Sequence, residues 1–448
     1  MSNINNIDRL SKKDVLLNIL FIFFLCYLSQ LFIRQVFQIG YNYNGVEFYH
    51  ISEWLINFEG GFVRRGIRGE IILFLYNVLG LKPFTSIIII TAISFILLLY
   101  FFFSQFIKQG YPIFILPFAF FLGNPILNSF WLRPDSLLLL TFILIIYACR
   151  KNRITAPNIL LINILSIFGI LMHEIFIFIA LPFIILLIAR LINQAYNKNL
   201  KNKILSYFLA GLCLTPCIII TLLVILHNGS PAVADKILSS WSTIPFPDGF
   251  QIWSAGSQYP GAFEGMTKTM SEGLNEYSGQ FINWFFNSLY GPLLILLTIG
   301  VVFFILSNIN KINNRIIIFK PQDHKNKSSI TSVLLIQLTA IIPLYILGWD
   351  YGRWIFFWAA SSFVVLLLIP QQILHTAIPS PIIHLSDKLN NWSSSVFGES
   401  KGVVILLCLI IGVPFSVWGA QEYFDTSLIY ILLKNISLLF KYILMVLR

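Results

Sequence analysis

Residues 84–107 read FTSIIIITAISFILLLYFFFSQFI, twenty-four positions without a charge. As an α-helix rising ~1.5 Å per residue, the run spans ~36 Å and outreaches the ~30 Å hydrocarbon core of a bilayer. A membrane strand is shorter and alternates in polarity, and this run does neither. The whole chain follows it: of 448 residues 57% are hydrophobic and 11% charged, with a mean hydropathy of +0.80. A globular core stops growing well before it can hide so much apolar surface. The expected fold class is all-α, a polytopic transmembrane helical bundle.

Outward from this run, apolar stretches mark further spans at 15–37, 111–131, 136–149, 158–172, 175–191, 204–226, 284–307, 330–348, 355–370, 402–419 and 428–446, for about twelve in all. Several are short, which predicts broken helices. Segment 69–80 is shorter still and reads as an interfacial or re-entrant helix. The first span is too long for a signal peptide and lacks a small-residue cleavage site. Arg9, Lys12 and Lys13 put segment 1–14 in the cytoplasm, together with 308–329 and 371–401; the loops 38–83 and 227–283 are then outside. On this layout the inside segments carry about 20 of the 30 Lys and Arg and about 5 acids, the outside about 10 bases and about 14 acids. No repeat and no soluble domain stands out, so residues 1–448 read as one membrane domain. The net charge of +11 is thus an orientation signal rather than a mark of nucleic-acid binding. The five cysteines sit in or beside apolar runs and make no disulfide or metal pattern.

Against this background the charged interruptions stand out. Residues 53–70, EWLINFEGGFVRRGIRGE, carry three arginines, three carboxylates and four glycines. Arg64, Arg65 and Arg68 are permanently charged forks that suit phosphate oxygens; alternatively Arg64 and Arg68 pair with Glu70 or meet lipid headgroups. Glu53 and Glu59 are candidates for a general base, with Glu47 and Glu70 behind them. Arg133 and Asp135 flank a proline at the mouth of a span and either pair locally as a helix start or join a site. His173 and Glu174 interrupt an apolar region with no loop around them. Asp350 and Arg353, three apart, make a local pair or face the same cavity. Under the predicted topology all four segments fall on the outer face. His50, His173, Glu174, Asp135 and Asp350 are a weak metal set; no spacing on one helix supports it, so no metal residues are assigned and a divalent ion stays an open cofactor.

The long acidic first outer loop (Glu47, Glu53, Glu59), the short helices after it, Arg-Pro-Asp at 133–135 and the outer-face arginines resemble the GT-C class of integral-membrane glycosyltransferases and the Wzy-type polymerases of bacterial surface polysaccharide. The run GGFVRRG at 60–66 looks like one in membrane proteins of polysaccharide gene clusters. The resemblance implies an enzyme of the bacterial inner (plasma) membrane with its active site on the outer face. It implies a polyprenyl-linked saccharide donor and a glycan or lipid-linked acceptor, both met among membrane lipid. Glu53 or Glu59 would be the base, with Arg64, Arg65, Arg133 or Arg353 on the donor phosphate. The chain departs from the class in lacking a paired Asp-Asp in the first loop and a large soluble C-terminal domain. Two other readings are a Wzy-like O-antigen or capsule polymerase and a transporter or flippase for lipid-linked saccharide. The latter predicts charges spread through the bilayer and two similar halves, neither of which the sequence has.

Overall fold

The computed structural model describes residues 12–41, 48–116, 122–127, 129–150, 155–195, 203–246, 259, 261–287, 290–311, 326–348, 350–398 and 400–411. Arg9, Glu47, segment 312–325 and the predicted span 428–446 lie outside the described residues, as do residues 412–419 of the predicted span 402–419. Among the described residues there is no strand. In chain order come α1 (Lys12–Tyr41), α2 (Phe48–Ser52), α3 (Gly66–Leu79), α4 (Pro83–Gln109), α5 (Gly123–Leu127), α6 (Asp135–Cys149) and α7 (Ala156–Met172). Next are α8 (Ile175–Ala195), α9 (Lys203–Cys213), α10 (Thr215–Leu226), α11 (Pro231–Ser240), α12 (Met270–Asn287) and α13 (Tyr290–Ser307). The last described are α14 (Lys327–Leu347), α15 (Tyr351–Leu368), α16 (Gln371–Ala377), α17 (Ser380–Phe397) and α18 (Lys401–Ile411).

The centre of the molecule is α15. Its sequence, YGRWIFFWAASSFVVLLL, carries no charge after Arg353, and every one of its 18 residues is buried. A helix buried on every side has to be surrounded, and α4, α5, α6, α8, α13 and α14 surround it. The indole of Trp358 donates to the carbonyl of Leu334 on α14 at 2.8 Å, so its one polar atom is satisfied inside the bundle. The outward faces are apolar as well: Ile93, Ile96 and Tyr100 on α4, Leu160 and Ile164 on α7, and Ile219 and Leu222 on α10 are all exposed. In water so much uncovered apolar surface is an aggregation hazard, whereas in a bilayer it meets its solvent.

Four helices, α4, α8, α14 and α15, are long and apolar enough to cross a membrane. The pair α9 and α10, bent by 69° at Leu214, makes a fifth crossing if it counts as one. Pro216 in the first turn of α10 cannot donate back to the preceding turn, which is where the bend falls. Helices α6, α7 and the described part of α13 are apolar but shorter. The predicted span 111–131 is not one helix. Its described residues form two 3-10 turns, Ile113–Ile115 and Phe130–Leu132, on either side of the five-residue α5. Pro112 and Pro125 each remove a backbone donor there, and Ser129 takes a left-handed conformation. Nor is 371–401 a plain loop, since it holds α16 and α17. The latter lays Ser386 and Asn390 on Ser332 (2.7 Å) and Thr331 (2.8 Å) of α14. The predicted loop 227–283 likewise contains α11, a 3-10 turn at Gly261–Met266 and most of α12.

That segment covers the first loop. Trp241 donates to the Leu55 carbonyl at 2.7 Å, Asn57 to Ser240 at 2.8 Å, and the Ala262 N–H to the Ser52 hydroxyl at 2.9 Å. Beneath it the starts of α3, α6, α8 and α15 meet.

Candidate functional site

Each of these helices delivers charge at its N-terminal end. The chain enters α3 through Arg65, which adopts φ 66°, a left-handed conformation costing a non-glycine residue about 1 kcal/mol. The turn fans Arg64 and Arg65 to one side and sends Arg68 inward. Helix α3 is held close by Gly69, whose N–H donates to the Ile56 carbonyl at 2.9 Å. Pro134 and Asp135 start α6, the break between α7 and α8 presents His173 and Glu174, and Asp350 precedes α15 with Arg353 in its first turn.

Together they form one network. Glu53 is its hub. Arg133 grips both its oxygens, Nη2 to Oε1 at 2.7 Å and Nε to Oε2 at 3.1 Å, while Arg65 and Arg68 stand at 3.5 and 3.6 Å. Arg133 also donates to Asp350 at 2.9 Å. Arg353 forks Asp135 at 2.7 and 2.5 Å and reaches Asp350 at 3.1 Å. At the other end Arg65 forks Glu174 through Nε (2.8 Å to Oε2) and Nη2, and Arg64 Nη1 joins at 3.2 Å. Arg64 Nη2 donates to the Gly265 carbonyl of the covering segment at 2.7 Å.

The four interrupted segments therefore meet, and their pairing is cross-wise. Arg133 and Asp135 do not pair with each other but with Glu53 and Arg353; Asp350 and Arg353 make their local pair and a tertiary one besides. Among the described residues Glu70 pairs with no arginine; its Oε1 accepts the Phe58 N–H at 2.7 Å. Glu59 is exposed and stands apart from the network, its N–H on Asn57.

Burial sorts the members. Glu53 and Arg68 have side chains with 0% exposure and Asp135 and Arg353 1%, whereas Glu174 keeps 24%, Arg64 20% and Arg65 12%. Asp350 keeps 13%, so solvent touches the network there too, but it reaches it most at the Arg64–Arg65–Glu174 corner. Burial pushes the Glu53 carboxyl up, but Arg133 and Arg68 override it and hold it well below the usual range. Glu174 follows the same logic, with Arg65 as the overriding charge. Burial, aided by Arg65, pulls His173 down to about 3, and burial with Arg133 does the same to His50. Both rings are therefore neutral near pH 7. His173 Nδ1 lies 3.2 Å from the Ile175 N–H and 3.3 Å from Glu174. Its Nε2 has no hydrogen-bond partner and is 3.9 Å from Glu53, and the terminal nitrogens of Arg68 also lack an acceptor. Among the described residues no three His, Cys, Asp or Glu side chains are grouped to hold a metal ion.

Several supporting residues carry no signal in the sequence. Asn124, fully buried, donates to the Gly352 carbonyl at 2.9 Å and fixes the start of α15. Trp54 donates to the Leu132 carbonyl at 2.8 Å and ties the first loop to Arg133. The Tyr49 ring lies 5.3 Å from the Arg133 guanidinium. Next to the network, α1 and α4 enclose an apolar cleft of about 330 Å³, lined by Leu28, Phe32, Leu99 and Phe103 among others. Phe32 packs edge-on against Trp131 at 5.1 Å, two residues from Arg133.

Compared with protein-family profiles, curated proteins and solved structures, the chain matches none. Fold and site define an all-α protein with bilayer-length apolar helices and a buried network of arginines and carboxylates at their ends.

Proposed function

We propose that the chain is a membrane-embedded glycosyltransferase, built on a GT-C-like bundle of about twelve spans, that uses polyprenyl-phosphate-linked sugars at the outer face of the membrane in cell-surface polysaccharide assembly. One observation carries the reading. Five arginines (Arg64, Arg65, Arg68, Arg133, Arg353) meet four carboxylates (Glu53, Asp135, Glu174, Asp350), and the accessible corner belongs to Arg64 and Arg65. An excess of forked cations at the membrane-adjacent end of a bundle suits a phosphate leaving group, whose developing charge they neutralise. The apolar cleft between α1 and α4, whose lining residue Phe32 packs on Trp131, is the kind of surface an isoprenoid tail needs.

In this reading Glu53 holds Arg133, Arg65 and Arg68 in place as the donor arrives. The test is glycan profiling of cells carrying Arg64→Gln or Arg65→Gln, with the protein's membrane level followed in parallel. The reading expects surface glycan to disappear while the protein stays in the membrane; an unchanged glycan contradicts it. Loss of a single sugar marks a monosaccharide transferase, and chains cut to one repeat unit mark a polymerase.

A further inference from the structure

Glu174 differs from the other three carboxylates of the network. It is the most exposed, and the two arginines at the accessible corner both spend donors on it. The fork that Arg65 makes on its two oxygens is the one a guanidinium makes on two phosphate oxygens. Arg65 holds this pose from a left-handed backbone, a conformation that persists where a site demands it. Deeper in, the terminal nitrogens of Arg68 and Nε2 of His173 are buried donor positions without acceptors, so the corner has capacity for further oxygens.

We infer that Glu174 sits on Arg64 and Arg65 where the donor phosphate binds, and that the arriving phosphate displaces it and so frees it to take the acceptor's proton. The inference rests on the reading above and names the proton acceptor within it. While Arg65 grips Glu174, burial is outweighed and its carboxyl stays well below the usual range, a poor base. Once phosphate takes the arginines, the carboxylate loses its counter-charges and keeps its partly buried surroundings, which makes it more basic. The step then balances. The acceptor hydroxyl gives its proton to Glu174, its oxygen bonds to the sugar C1, and the C1–O bond to phosphate breaks. The electron pair leaves on the phosphate oxygen, held by Arg64 and Arg65.

A self-occupied site binds its ligand more weakly than an open one, because only the open fraction is competent. The experiment is calorimetric titration of the purified full-length chain in detergent with inorganic pyrophosphate, beside glycan profiling of the same variants. Glu174→Gln is expected to bind pyrophosphate about ten-fold more tightly than wild type and to make no glycan. Glu174→Asp keeps the charge but is too short to fork with Arg65; it is expected to bind more tightly too, and covers the case that the glutamine variant does not fold. Equal or weaker binding in both variants, or glycan made by Glu174→Gln, overturns the inference while wild-type binding leaves the phosphate reading standing. No pyrophosphate bound by wild type or either variant overturns both.

Discussion

Neutral histidines beside gripped carboxylates give this site a defined response to acid. His50 and His173 sit at about 3 in the folded chain against 6.5 as free side chains, lowered first by burial and then by Arg133 and Arg65 respectively. Between those values the unfolded chain holds more protons than the folded one. Stability is therefore complete above pH 6.5 and falls as pH drops through the window, by up to ~1.4 kcal/mol per pH unit for each ring. Glu53 and Glu174, held low in the folded state, add loss of the same sign only below their ordinary value of 4.5. The interval from pH 6.5 to 5 thus isolates the histidines. Thermal melts in detergent should show the melting temperature falling across it, with a shallower fall in His173→Gln. A wild type as stable at pH 5 as at pH 7, or a variant with an unchanged slope, contradicts this assignment.

Among the elements, α3 aims the arginines, and its position depends on one close approach. A Cβ at Gly69 meets the Ile56 carbonyl oxygen and carbon inside any tolerable contact, and that oxygen is backbone, already bonded to the Gly69 N–H. Gly69→Ala should push α3 off the first loop and cost about 1–3 kcal/mol, as overpacking does. It should also weaken pyrophosphate binding, because Arg65 and Arg68 move with the helix. Gly211→Ala in α9 is the control: nothing lies within 4 Å of its added carbon, and alanine favours a helix interior. Melting and binding measurements on the two variants decide the point, and equal behaviour would count against it. The Gly-rich run at 60–69 was visible in the sequence, but its reason was not. Gly69 makes room for the loop's own carbonyl, a need that spacing alone does not reveal.

At the scale of the whole molecule, what could be read from the sequence follows from contrast. A charge is conspicuous where its neighbours are Ile, Leu and Phe, so the four interrupted segments declared themselves, and ionisable groups that costly had reason to meet. Their pairing was hidden, because spacing points to near neighbours. It suggests Arg133 with Asp135, but the fold joins Arg133 to Glu53, eighty residues away, and Arg353 to Asp135. Partners such as the Gly265 and Leu132 carbonyls are backbone atoms that every residue possesses, and no pattern marks them. Hydropathy likewise located apolar runs but overstated their continuity, since prolines divide 111–131 into short turns. The central claim is that this convergence holds a phosphorylated lipid by its head. The measurement that bears on it most directly compares equilibrium binding of a polyprenyl phosphate and the matching uncharged polyprenol to the purified full-length chain in detergent. The account predicts that the phosphate binds at least about ten-fold more tightly, and that Arg65→Gln abolishes the difference. Equal affinity for the two lipids, or a preference that survives in Arg65→Gln, would contradict it.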